Sequence, residues 1–185
     1  MGYLSSTNSL RIYFIKIKFN ILSMKLEYII RKAQPKDAKG IYEVVLAAFE
    51  DFRHFYSQEG FANTVMSEKA ALERIKEMKI YVAIDQNGEI IGTIGWKKVS
   101  AKEGHIRGMA VHPKWQGKNS PAASLMQIVE SDALFQGCTF LSLDTTEILK
   151  RAQNFYKKLG FKETGKTDNF FGSTIYEFKK KISHG

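Results

Sequence analysis

Only one cysteine, Cys138, occurs in 185 residues, so the chain cannot form an intramolecular disulfide. Its surroundings, Cys138-Thr139-Phe140-Leu141-Ser142-Leu143, are apolar. They lack the basic, exposed setting that activates a thiol, which marks a buried core group. Histidine is also scarce. His54, His105, His112 and His184 show no ligand spacing among themselves or with Cys138, which excludes a zinc site built from them. Internal repeats and low-complexity linkers are absent. The apolar stretch Arg11–Leu22 is interrupted by Lys16 and Lys18, too broken for a signal-peptide core and too short to span a bilayer. Acids are the minority charge, 19 against 28 lysines and arginines, for a net charge of +9.

That excess is spread out. Arg11, Lys16 and Lys18 stand in the leader, and Lys179, Lys180 and Lys181 follow the last hydrophobic run. No basic stripe or interleaved aromatic platform emerges, so nucleic acid is not an expected partner. Hydrophobic residues at 44% and charged ones at 25% are ordinary for a globular domain, and the length suits one core. Residues 1–23 read as an extension of low structural commitment and 24–185 as a single domain, with Met24 followed at once by an ordered start. The expected setting is cytoplasmic, without membrane association, as a monomer or homodimer.

Periodicity outlines the elements. Residues 27–32 read as a strand, 37–50 as an amphipathic helix with Ile41, Val44 and Val45 on one face, and 51–66 as an irregular aromatic stretch. Ser67 caps a helix to Met78. Strands follow at 79–85 and 90–99, joined by Asn87-Gly88, the signal of a tight hairpin. A strand at 105–111 leads into a helix over 121–134, then come a strand at 138–144 and a helix at 148–159 closed by Gly160. Residues 161–163 and 173–180 form a last hairpin. This is an α/β mixed sheet of six to seven strands flanked by about four helices.

The stretch from His105 to Glu130 carries the chemistry. A strand feeds a polar turn, Gln116-Gly117-Lys118-Asn119-Ser120, that opens a helix. Helix N-termini present unpaired N–H groups and a positive dipole end, a natural seat for phosphate. Two blocks, Gly108-Met109-Ala110-Val111-His112-Pro113 with Trp115-Gln116-Gly117-Lys118, and Ala152 with Phe155-Tyr156 and Leu159-Gly160-Phe161, stand in an order that resembles the GNAT superfamily of acyl-CoA-dependent N-acetyltransferases. The resemblance covers nearly all of the chain from Met24 to Ile182.

The resemblance implies a GNAT-like fold whose strands 105–111 and 138–144 splay apart around acetyl-CoA, the co-substrate, with no metal. It implies cofactor contacts from Met109, Ala110 and Val111, with the N–H near Val111 polarising the thioester carbonyl. Residues 116–122 would hold the pyrophosphate, through Gln116, Gly117, Lys118 and Asn119. The turn departs from the family pattern, since Asn119 and Pro121 occupy its small-residue positions. One extra residue in the turn brings Ser120 and Ala122 there instead, with Ser120 as N-cap and Pro121 as first helical residue. Leu149 stands where the family often has a cofactor-binding Asn, and Asn154 is the nearby substitute. Tyr156 matches the family's acid for the departing thiolate.

His105 and Glu103 are both candidates for the base that deprotonates an amine. Glu50 and Asp51 are candidates for binding a cationic substrate, and Phe52, His54, Phe55 and Tyr56 lie where the family forms its acceptor pocket. The implied reaction transfers acetyl from acetyl-CoA to a primary amine of a small molecule or a protein. The alternative is a catalytically weak acyl-CoA-binding sensor on the same fold.

Overall fold

The computed structural model describes residues 27–183, so the leader and the boundary near Met24 lie outside the described residues. Seven strands form one sheet: β1 (Tyr28–Lys32), β2 (Lys79–Asp85), β3 (Ile90–Lys98), β4 (Glu103–Val111), β5 (Phe140–Thr146), β6 (Lys162–Phe170) and β7 (Ser173–Lys181), in the order β1-β2-β3-β4-β5-β7-β6. Five helices accompany it: α1 (Ala38–Phe49), α2 (Gln58–Val65), α3 (Glu68–Glu77), α4 (Ala122–Phe135) and α5 (Lys150–Lys158). All neighbouring strands are antiparallel except β4 and β5.

Each face of the sheet has its own core. On one, Leu125, Met126 and Val129 of α4 pack with Trp96, Leu141, Leu143, Tyr156 and Phe161. On the other, Ile41, Val44 and Val45 of α1 and Ala71 of α3 pack on Ile80, Val82 and Ala110. α4 is further pinned by Asp132, which accepts hydrogen bonds from Lys79 Nζ (2.8 Å), Tyr81 Oη (2.9 Å) and Trp96 Nε1 (3.0 Å). The carboxylate is mostly buried, and these three donors satisfy it. Before α1, Asp37 accepts from Arg31 Nη1 (2.6 Å) and Nη2 (2.9 Å) in a bidentate pair. The guanidinium holds its carboxyl below the usual range.

Three local differences from the sequence reading have physical causes. Residues 51–66 are not irregular: a 3-10 turn over Glu50–Phe55 is followed by α2. Ser57 Oγ accepts from Gly60 N–H (3.1 Å) as the N-cap, and Gly60 is small because Phe171 packs there, 3.1 Å from where a Cβ would stand. A glycine in the first helical turn hides the helix from a propensity reading. β6 runs nine residues rather than three. Nearly all of it is exposed, so it lacks the apolar alternation that betrays a strand, and its turn uses Phe171 and Gly172 at φ 50° and 91°. Finally, α4 starts at Ala122 with Pro121 as the preceding residue, while Ser120 Oγ still accepts from Ala122 N–H at 3.3 Å.

Candidate active site

β4 and β5 pair only over Glu103↔Phe140, Gly104↔Leu141, His105↔Ser142 and Ile106↔Leu143. Beyond that, β4 follows β3 and β5 follows β7, so residues 107–111 and 144–146 face one another across an opening. The divergence has a local origin. β4 carries an extra residue between Arg107 and Ala110, where Gly95 pairs with Arg107 and Thr93 with Ala110. Gly108 sits in this bulge at φ 64°, a conformation that favours glycine.

His112 N–H donates to Ile91 O (2.9 Å), which fixes the alternation of the β3–β4 ladder. One residue back, Val111 opposes Gly92 as a non-hydrogen-bonded pair, so its N–H and C=O point away from β3 into the opening. Ala110, expected beside the cofactor, directs its own N–H and C=O to β3 and contributes no backbone donor to the opening.

Two glutamines brace the rims. Gln116 Nε2 donates to Val111 O (2.9 Å), and Gln153 Nε2 donates to Thr146 O (2.9 Å). Gln116 also accepts from Arg151 Nη1 (3.1 Å), and its N–H donates to Pro113 O (3.2 Å). These bonds brace the turn against the β4 rim and leave one N–H of the side-chain amide without a partner among the described residues. Gln153 was not singled out in the sequence because its role depends on the helix lying over the rim of β5.

The turn itself leaves the N–H groups of Lys118 and Asn119 without partners among the described residues. Gly117 adopts φ 110°, and no acid stands in the first turn of α4. Arg151 adds a second cation beside Lys118, one that sequence spacing does not connect with the turn. Asn119 is exposed, its side chain 3.5 Å from Glu27. Asn154 is exposed on α5, on a different face from buried Gln153.

Tyr156 borders the opening from the α5 side. Its ring is buried against Phe155, Phe161 and Phe178, and its hydroxyl donates to Met109 Sδ at 3.7 Å. Burial pushes its pKa up to about 12, so it is a proton donor at neutral pH. Thr145, in the part of β5 that pairs with β7 but not with β4, is 6% exposed, and its Oγ1 has no hydrogen-bond partner among the described residues. An orphaned buried hydroxyl at a strand opening is what an extended, amide-rich arm such as pantetheine would complete.

The opposite side of the opening has other chemistry. His105 Nδ1 lies 3.0 Å from the Ser142 hydroxyl, and its Nε2 lies 3.5 Å from Asp144 Oδ2. Burial lowers the His105 pKa and Arg107 adds to this, against the opposing pull of Asp144, Glu103 and Glu177. Glu103 is less suited to be the base. Burial raises its pKa, but hydrogen bonds from Lys179 and Ser142 together outweigh this, and its carboxylate is committed to Lys179. Asp144 stands directly opposite Glu177 in the β5–β7 ladder, and burial and that like charge raise its pKa.

The acceptor residues expected between 50 and 56 divide. Tyr56 reaches the rim, its hydroxyl 3.3 Å from Thr146 Oγ1. Glu50 is exposed and forms a bidentate pair with Arg53 (2.8 and 2.9 Å). Asp51 is exposed, Phe52 is half-buried, and exposed Phe55 lies against the His54 ring. Only Tyr56 of this group is tied to β5 by a hydrogen bond.

Known proteins agree with this architecture. A PaiA N-acetyltransferase from Thermoplasma acidophilum, solved in complex with coenzyme A, superposes with a TM-score of 0.72 at 20% identity, covering 84% of this chain and 99% of its own. Ard1 from Thermoplasma volcanium gives 0.69 at 21% identity, covering 85% and 99%. A GCN5-related N-acetyltransferase from Rhodopseudomonas palustris gives 0.68 at 19%, covering 88% and 100%. At these identities the likeness concerns the fold. No curated protein sequence matches. The model of the Acetyltransferase (GNAT) family matches residues 27–161, from the first strand to the end of the Tyr156 block, and the chain belongs to that family.

Proposed function

We propose that the protein transfers acetyl from acetyl-CoA to a primary amine by direct attack of the neutral amine on the thioester, without a covalent enzyme intermediate. The observation that carries this reading is the opening between β4 and β5. Val111 N–H points into it, Tyr156 borders it from α5, and the unpartnered Thr145 hydroxyl belongs to its β5 rim. Acetyl-CoA would supply the activated acyl group. The N–H groups of Lys118 and Asn119, with Lys118 and Arg151 as cations, would hold its phosphates. Val111 N–H would hydrogen-bond the thioester oxygen as negative charge develops there.

An amine of pKa near ~10 arrives mostly protonated. Asp144 and Glu177 would attract the ammonium, and His105 Nε2, neutral because its pKa is depressed, would take the proton. When the C–S bond breaks, the Tyr156 hydroxyl would protonate the departing thiolate. His105 passes the first amine proton to bulk water; after attack the nitrogen sheds its second proton, again to Nε2, and that proton restores Tyr156, so each turnover releases one net proton.

A thiol-release assay with acetyl-CoA against a broad amine panel tests this, run beside Tyr156→Phe. Release by the parent and a kcat lowered by about 10²-fold in the variant support the enzyme and its acid. Equal rates in both would refute the acid role. Acetyl-CoA binding without release across the panel would favour the sensor reading, and no binding at millimolar acetyl-CoA would sink both.

A further inference from the structure

Three of the five arginines among the described residues have fixed partners: Arg31 with Asp37, Arg53 with Glu50, and Arg151 with Gln116. The other two, Arg74 and Arg107, have no hydrogen bond or ion pair from their side chains among the described residues, and they stand together. Arg74 comes from α3 and is half-buried; Arg107 is the last residue of β4 before the bulge. Both line a small pocket at that bulge with Gly108, Met66 and Thr93. Arg74 Nη1 lies 3.6 Å from where a Cβ of Gly108 would stand, an ordinary contact distance that places the guanidinium against the bulge. Arg74 also closes one end of a groove of about 540 Å³ between α1, α2 and α3, lined by Tyr42, Leu46, Phe61 and Met66.

The two guanidinium groups repel one another; exposed Arg107 feels the charge of Asp144 and half-buried Arg74 that of Glu77, but neither has a hydrogen-bonded acid among the described residues. Their position does suggest a use. Arg107 follows His105 by two residues on the same face of β4, roughly 7 Å along the strand. Across the opening, β5 and β7 present Asp144 and Glu177. Arginines therefore flank the base on the α3 side, while Asp144 and Glu177, the latter 3.5 Å from Lys166 Nζ, lie on the β7 side. That polarity fits a substrate carrying both charges, with its ammonium toward Asp144 and an oxyanion toward the arginines, whose planar forks match carboxylate and phosphate.

We infer that the acceptor is a small amine bearing an oxyanion, a carboxylate or a phosphate, which Arg74 and Arg107 bind while the amino group faces His105. This rests on the acetyl-transfer reading above and narrows its substrate class. Burial and the mutual repulsion with Arg107 that depress the Arg74 pKa are what an arriving anion would relieve.

The test uses matched acceptors with the full chain: leucine against leucinamide for the carboxylate, and O-phosphoethanolamine against ethanolamine for the phosphate. Acetyl-CoA binding is measured first, by titration, and thiol release gives kcat/KM for each amine. The expected result is a preference of at least 10-fold for the anionic member of one pair, which identifies the anion. Arg74→Gln and Arg107→Gln should each collapse that ratio toward one, through KM rather than kcat. Lys76→Gln, an exposed charge change on the same helix, should retain it. Acetyl-CoA binding with no preference in either pair, or a preference unchanged in both arginine variants, overturns the inference and leaves the acyltransferase reading standing. Absent acetyl-CoA binding overturns both.

Discussion

The two halves of the β4–β5 pair differ in how their polar groups are used. In the closed half, four residue pairs are in register, Glu103 is committed to Lys179, and the Ser142 hydroxyl lies 3.0 Å from His105 Nδ1. In the open half, Val111 N–H points into space and the Thr145 hydroxyl has no partner, while Gln116 and Gln153 satisfy one carbonyl on each rim. On the proposed function, the closed half would orient the base and the rims of the open half would present donors to an extended ligand. Substitution of His105 should then alter turnover, and substitution of Thr145 should alter acetyl-CoA binding.

The largest effect is expected at His105. Replacing it with Gln keeps a polar side chain of similar reach beside Ser142 but removes the basic nitrogen. A loss of about 10²-fold in kcat/KM for the amine is expected. Acetyl-CoA affinity, measured by titration, should hold within about twofold. A parallel collapse of acetyl-CoA binding would break the division, because it would mean that the closed half also holds the cofactor.

Thr145 sharpens the same comparison with two opposed signs. Thr145→Val preserves shape and deletes a hydroxyl that has no partner among the described residues. In the ligand-free protein this should raise stability by about 1 kcal/mol, a rise of roughly 2–4 °C in Tm. With acetyl-CoA the same change should weaken binding by about fivefold to tenfold, since the hydroxyl is then missed. Thr145→Ser should restore the binding. A variant that is neither stabilised nor impaired would show that the hydroxyl faces no ligand.

Much of this division was legible in the sequence, but unevenly. The seat formed by residues 116–122 and the Tyr156 block rest on short, local signals, a polar turn before an apolar helix and a glycine stop. The β4–β5 opening is implied in the sequence only by the family resemblance, and its local cause, the bulge at Gly108, shows only in the structure. Gln153, Arg151 and Thr145 carry no such local signature, since each matters only because of what a distant segment brings beside it. Gln116 shows the converse. Its motif position is a local signal for ligand contact, but the bonds of its amide to Val111 and Arg151 show only in three dimensions. The acceptor side was the least legible. Glu50 stands out by charge and position and forms an exposed pair with Arg53 one turn on, while Arg74 and Arg107 lie 33 positions apart in sequence and meet only across α3 and β4.

The smallest expected effect concerns pH and isolates how His105 is tuned. Burial holds its pKa below the ordinary histidine value, Arg107 pushes it the same way, and Asp144, Glu103 and Glu177 oppose them. A base must be neutral to act, so activity should be lost as pH falls through this depressed pKa. Asp144→Asn removes the strongest of the opposing charges. Burial and Arg107 then act with less resistance, the His105 pKa falls further, and the acid limb of the kcat/KM profile should move to lower pH. At neutral pH His105 is unprotonated in both proteins, so the rate at saturating amine should change by less than about fivefold, the scale of a partly exposed charge pair. KM for the amine should rise as its ammonium loses an attracting carboxylate. An acid limb that stays in place, or moves toward alkaline pH, would show that the group titrating in catalysis is not His105 beside Asp144.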